Sequence, residues 1–265
     1  MQVTPGTRAL VTGASRGIGR ALCRALAARG AVLGLAARST DELDALAAEL
    51  PGEHHVLACD VTDADSTRAA VEEFVERAGG LELLVANAGI THYQPFRDQP
   101  LADALAMSAV NWHGTLHTVH FGLPPMLAAG RGHVVVVSSG AGLRSFPGAA
   151  VYGATKAAQR MFAEALRHEL AGTGVSVTTV YPGEIATSLH DHEKDRMPPW
   201  YRGGERAAAP EELVRRVLAA IEADARHVFY PPFVRALGVA HGLSPKLGDA
   251  LLRRLRGDSA APRRG

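Results

Sequence analysis

From the first residues to about residue 180, short apolar runs alternate with alanine- and leucine-rich stretches of helical period, and no linker-like segment interrupts them. Such alternation is satisfied by strands joined through crossing helices, because neighbouring parallel strands cannot be linked by a tight turn. The apolar runs predict strands at 8–12, 31–36, 54–58, 83–86, 132–138, 175–181 and 227–230. Helices are expected at 17–29, 40–50, 66–78, 101–127, 149–172 and 210–223. Right-handed crossovers distribute those helices over both faces of the sheet. The expected fold is therefore α/β: one Rossmann-like, doubly wound domain with seven parallel strands, spanning residues 1–230. A helical extension over 231–258 and a frayed tail over 259–265 are expected to follow.

Composition narrows the field. The chain has 265 residues, 47% of them hydrophobic, enough for a large core. Its formal net charge of +1 gives no global attraction to nucleic acid. Cys23 and Cys59 have no metal-like spacing and build no disulfide framework, so they read as small buried hydrophobes in a reducing, cytoplasmic setting. No charged leader precedes an apolar stretch at the amino end, and no uninterrupted apolar run approaches the roughly 18 residues of a membrane span. A soluble, unprocessed protein is expected.

The first strand-to-helix turn, Thr12-Gly13-Ala14-Ser15-Arg16-Gly17-Ile18-Gly19, is rich in glycine. Missing side chains let backbone amides and a helix amino end approach a pyrophosphate, so the turn suits a dinucleotide. Its spacing is Gly-x-x-x-Gly-x-Gly, which departs from the common Gly-x-Gly-x-x-Gly pattern and makes the turn ambiguous alone. An NAD site places an acid about 20 residues further on, at the end of the second strand. Ala37 and Arg38 stand there instead. Arg38 and Arg16 offer two planar cations for a 2′-phosphate, which favours NADP(H) over NAD(H). The alternative is that both are ordinary solvated helix-end residues. Asp41, the nearest acid, is placed to cap a helix. Asp60 follows the third strand where it would meet an adenine, and Asn87-Ala88-Gly89 ends the fourth where backbone passes close to a cofactor. Turn formation is the plain alternative for both.

Tyr152 and Lys156 are four residues apart within a helical stretch and so share a face, and Ser139 lies thirteen positions before the tyrosine. A free phenol has a pKa of about 10, and a neighbouring ammonium lowers it toward a range useful for proton transfer. Singly, Tyr152 reads as a half-buried aromatic, Ser139 as a turn cap, Asn111 as a polar residue bending a helix and Lys156 as a surface charge. The ordered set points to nicotinamide-dependent carbonyl chemistry.

With those residues in order, the chain resembles the short-chain dehydrogenase/reductase family over about residues 5–230. The matches are Thr12 to Gly19, Asp60-Val61, Asn87-Ala88-Gly89, Asn111, Ser138-Ser139, Tyr152-Gly153-Ala154-Thr155-Lys156 and Pro182-Gly183. The resemblance implies an NADP-dependent oxidoreductase that reduces a carbonyl, a lipophilic ketone or 3-oxoacyl-type compound, to an alcohol. It implies Tyr152 as proton donor, Ser139 as the group that polarises the substrate oxygen, and Lys156 as the residue that lowers the tyrosine pKa and binds the nicotinamide ribose. Asn111 would support a water linking Lys156 to solvent. Gly13, Ser15, Arg16, Gly17, Ile18 and Gly19 would hold the cofactor from the turn. Arg38, Asp60, Val61, Asn87, Ala88 and Gly89 would hold the adenosine half, and Pro182, Gly183, Ile185 and Thr187 would border the nicotinamide. No metal is implied. A homodimer or homotetramer through the fourth and fifth helices is implied as well. Two other readings remain open: an NADP-binding sensor or scaffold without turnover, and an epimerase or dehydratase on the same fold.

Substrate choice is expected in a segment from Ser188 to Tyr201, polar with an aromatic end, that could close over the site. Leu189, Met197, Trp200 and Tyr201, with Leu143, Phe146 and Val151, would form a largely apolar pocket. His190 and His192 sit two apart and share no helix face, so they are not expected to bind metal. Two short helices, 233–241 and 244–256, are expected beyond the core, split at Gly242. Leu247, Leu251 and Leu255 form an apolar stripe beside Arg253, Arg254 and Arg256. The stripe suits packing against the domain or a second subunit, or weak peripheral contact with an anionic membrane.

Overall fold

Strand β1 (Arg8–Thr12) lies in the middle of the sheet, with Ala9 to Thr12 buried, and pairs in parallel with β2 (Val32–Ala37) on one side and β4 (Leu83–Ala86) on the other. The computed structural model describes residues 1–187, 189 and 207–256. Outward from these three run β3 (His54–Ala58), β5 (Gly132–Val137), β6 (Val175–Pro182) and β7 (His227–Tyr230), in the order β3-β2-β1-β4-β5-β6-β7, all parallel. The sequence expectation of a single doubly wound domain with seven parallel strands holds.

Alternation along the strands sorts the core into two layers, because successive side chains point to opposite faces. Ala9, Val11, Val135 and Val137 pack with Leu22 and Leu26 of α1 (Gly17–Ala27), Leu43 and Leu46 of α2 (Thr40–Glu49), and Leu213, Val217 and Ile221 of α7 (Pro210–Glu222). Leu10, Val134 and Val136 pack on the other face with Val71 and Phe74 of α3 (Ala64–Ala78), Val119 and Met126 of α5 (Gly114–Ala129), and Ala163 and Leu166 of α6 (Ala150–Glu169). Gly34 on β2 permits close approach of α3, since a Cβ there would lie 2.7 Å from the Phe74 ring. Both cysteines are buried, and burial pushes the Cys59 thiol up to about 11.

Among the boundaries that differ from the sequence expectation, three have clear local reasons. The helix begun at Ser66 starts instead at Ala64, because the Asp63 side chain accepts hydrogen bonds from the amides of Asp65 and Ser66 and caps it there. The span expected as one helix over 101–127 divides into α4 (Leu101–Met107), a π-helical turn (Ser108–His113) and α5. Gly242 lies inside α8 (Phe233–Leu243), and the break before α9 (Pro245–Arg256) comes at Ser244. Ser244 is extended, as the residue before a proline is driven to be. No helix among the described residues is long and apolar enough to cross a membrane.

Phe74 is fully buried between α3 and the sheet. Phe74→Ala is expected to lower unfolding free energy by about 3–5 kcal/mol, read from the midpoint and slope of urea or guanidinium unfolding.

Candidate active site

Residues just past the carboxyl ends of β1 to β6 line one cavity of about 720 Å³, on both sides of the point between β1 and β4 where the strand order reverses. Open α/β sheets bind ligands at such a crevice. The turn after β1 holds Gly13 and Gly17 at φ +66° and +57°, in the left-handed region that favours glycine. A Cβ on Gly13 would lie 2.9 Å from the Ala88 backbone. The Asn87 side-chain amide donates to the carbonyls of Thr12 (3.0 Å) and Gly13 (3.1 Å), while the Thr12 hydroxyl receives the Asn87 amide at 3.2 Å. These bonds lock the turn to the end of β4. No side chain caps the amino end of α1, so its first amides are left for an anion.

Gly13, Ser15, Arg16, Gly17 and Ile18 line the cavity; Gly19 does not. A Cβ on Gly19 would overlap the Gly13 carbonyl, so this glycine serves the fit of turn and helix. Arg38, Asp60, Val61, Asn87, Ala88 and Gly89 line the same cavity. Arg16 and Arg38 are exposed, and neither is in an ion pair among the described residues. Burial disfavours the Asp60 anion, yet hydrogen bonds from the Thr62 amide and hydroxyl, together with the Arg38 charge, hold its carboxyl below the usual range.

At the other end Ser139, Tyr152, Lys156, Pro182, Gly183, Ile185 and Thr187 meet in the cavity. The two serines differ in use: Ser138 donates to the Lys156 carbonyl at 2.7 Å and ties β5 to α6, whereas Ser139 accepts from the Ala141 amide at 3.1 Å and hydrogen-bonds Tyr152. Burial pushes the Tyr152 phenol above its ordinary range, and only the Ser139 hydrogen bond opposes that shift. The expected lowering by Lys156 is absent from this geometry. The Lys156 ammonium lies 5.8 Å from the tyrosine ring centroid and donates to the Val137 carbonyl at 3.0 Å. Burial brings its own pKa from 10.5 down to about 7, so near neutrality it carries only part of its charge.

Asn111 is fully buried in the π-helical turn and lines no part of the cavity. Its side chain accepts from the Ile90 amide at 2.8 Å and donates to the Ile90 carbonyl and the Thr155 hydroxyl, both at 3.0 Å. Thr155 in turn donates to the Tyr152 carbonyl at 2.8 Å. Asn111 therefore joins the loop after β4 to the helix that carries Tyr152 and Lys156.

The expected substrate pocket is only partly assembled as read. Phe146 and Leu189 line the cavity. Leu143 instead faces Gly238 of α8 in a separate recess, because the turn after Ser139 carries it outward. Val151 packs behind Tyr152 and Tyr93 and does not reach the lining. Met197, Trp200 and Tyr201, like His190 and His192, lie outside the described residues. Tyr93, Arg144, Phe233, Val234, Leu237 and Leu252 line the cavity without having been anticipated. Tyr93 had a weak signal in its position four residues after Gly89. The last four had none, since only the docking of α8 and α9 brings them here.

The family model described as short chain dehydrogenase matches residues 7–198. A glycine betaine reductase of Emericella nidulans is 37% identical over 222 residues, 82% of this chain but only 18% of that much longer protein. A short chain dehydrogenase/reductase of Burkholderia phymatum, solved in complex with NAD, is 25% identical with a TM-score of 0.84 over 93% of this chain and 96% of its own. A short chain dehydrogenase of Burkholderia cenocepacia, solved in complex with NADP, is 29% identical with a TM-score of 0.79 over 96% and 99%. Fold and site define an oxidoreductase built to bind a nicotinamide cofactor. The chain belongs to the short-chain dehydrogenase/reductase family.

The Lys156 shift gives a signed pH dependence. Because its folded pKa of about 7 lies below the ordinary 10.5, the buried charge costs stability fully below pH 7, and that cost fades as pH rises toward 10.5. Lys156→Met is expected to stabilise the protein most at pH 6 to 7, with the difference from wild type shrinking between about pH 7 and 10.5. Denaturant unfolding of both proteins across that range checks it.

Proposed function

We propose that this oxidoreductase reduces a carbonyl compound with an apolar body to the alcohol, using NADPH. The observation that carries the reading is the meeting of Ser139, Tyr152 and Lys156 at one end of a cavity whose other end holds the glycine turn, Arg16 and Arg38. A reduced nicotinamide held in this cavity would supply the hydride that the carbonyl carbon takes up. Ser139 hydrogen-bonds the substrate oxygen, and Tyr152 stabilises the charge that grows there and delivers its proton. Lys156 binds the nicotinamide ribose. Asn111 positions Tyr152 and Lys156 through Thr155. Arg16 and Arg38 grip the 2′-phosphate, and Gly13, Gly17 and the start of α1 receive the pyrophosphate. Two buried thiols suit a cytoplasmic site of action.

The test follows NADPH and NADH consumption with a panel of lipophilic ketones and aldehydes. Tyr152→Phe is expected to bind NADPH as wild type does while its turnover falls about 10²- to 10⁴-fold; equal rates would overturn the assigned role. Arg38→Ala is expected to raise KM for NADPH roughly tenfold or more, the worth of a charge-assisted contact, with a smaller change for NADH. An equal change for both cofactors would remove the 2′-phosphate assignment.

A further inference from the structure

Glu184 follows the Pro182-Gly183 turn at the end of β6, and its side chain lines the catalytic half of the cavity. Its backbone carbonyl is used, accepting from the Ala208 amide at 2.9 Å and helping to hold the strand end in place. Its side-chain Oε1 is buried and makes no hydrogen bond among the described residues. A buried polar atom without a partner costs about 1–3 kcal/mol, more when charged. The residue as a whole is only half-buried, so its carboxylate can accept from a ligand group that brings its own donor.

Three other charged groups of the cavity, Arg144, Lys156 and Asp60, are already engaged. Arg144 is neutralised by Asp249 of α9, with Nε 3.2 Å from Oδ1. Lys156 donates to the Val137 carbonyl. Asp60 is occupied by Thr62 and faces Arg38 at the adenosine end. Among the described residues the buried Glu184 oxygen has no counter-group, and rings and aliphatic side chains line the same cavity. The Tyr93 ring lies 5.7 Å from Phe146 and 5.8 Å from Tyr152, centroid to centroid, and Phe233 completes this apolar surface from α8. Aromatic faces also attract cations, through the ring quadrupole.

We propose that Glu184 is a specificity-determining residue that accepts a hydrogen bond from a protonated amine of the substrate, so that the preferred compound is a carbonyl bearing both an apolar body and an ammonium group. Burial raises the carboxyl above its ordinary range, and an ammonium beside it reverses that penalty by stabilising the anion. The assignment takes its reaction from the carbonyl-reductase reading, but the recognition it describes is a binding property that needs no turnover.

The experiment uses two alkyl ketones of matched shape, one ending in a dimethylammonium group and the other in an isopropyl group. Their affinities for the full chain saturated with NADP⁺ are measured by calorimetry, for wild type and Glu184→Gln, and NADPH consumption is followed in parallel. Wild type is expected to bind the ammonium ketone at least about tenfold more tightly than its neutral counterpart, the worth of one charge-assisted hydrogen bond, and E184Q to bring the ratio close to one. If E184Q does not fold, Glu184→Ala is scored by the same ratio. A wild-type ratio near one, or a ratio that survives the substitution, overturns the proposal. So does a substitution that weakens NADP⁺ relative to NADPH while leaving the ketone ratio unmoved, since the carboxylate then serves the oxidised nicotinamide. Selective binding without NADPH consumption would leave Glu184 assigned and would count against the reductase reading alone.

Discussion

The site depends on the hydrogen bonds between Asn87 and the turn after β1. At the point where the strand order reverses, two neighbouring strands diverge into loops that run to opposite sides, and nothing in the sheet ladder holds those loops together. Asn87 bridges the gap by donating to the Thr12 and Gly13 carbonyls, while the Thr12 hydroxyl receives the Asn87 amide. With that bridge in place, Gly13 can sit against Ala88 and α1 can point its uncapped amino end into the crevice. A larger residue at position 13 or 19 would separate the two loops and widen the phosphate end of the cavity.

The catalytic end is held by a second, longer chain of contacts. The π-helical turn places Asn111 where its amide can grip the Ile90 backbone and the Thr155 hydroxyl together, and Thr155 reaches the Tyr152 carbonyl. A π-turn inserted in a helix is often found at functional sites because it re-aims side chains and leaves backbone groups with other partners. Here the Asn111 carbonyl accepts from Thr115 and Gln159. The result is a buried polar seam between α5 and α6, in which most groups have partners, supporting a tyrosine and a lysine that burial makes reluctant to ionise. A charge that enters the cavity changes how readily these two groups ionise.

Much of this was legible in the chain. Short apolar runs marked the strands, with β1, β3, β4 and β7 bounded as expected, because each is flanked by a glycine, proline or polar turn that cannot continue it. The glycine turn, the Asn-Ala-Gly end of β4 and the Tyr-x-x-x-Lys spacing are local patterns whose geometry follows from a few residues. The split of 101–127 was hidden, since a π-turn leaves the helical pattern of side chains nearly intact. Leu143 and Val151 were misplaced for a related reason: nearness in sequence to Ser139 and Tyr152 does not say which way a short turn aims a side chain.

What the sequence by itself determined is the parallel α/β sheet, the cofactor turn and the spacing of the groups that meet at its edge, because these rest on periodicity and on glycine's freedom at a few positions. Only the tertiary structure decided which walls close the cavity. Phe233, Val234, Leu237 and Leu252 reach it from helices far along the chain. The Arg144–Asp249 pair and the Glu184 oxygen, which has no partner among the described residues, likewise exist only once α8 and α9 have docked and β6 has ended where it does. Charge balance inside a cavity is a sum over groups brought from distant positions, and no local pattern carries that sum.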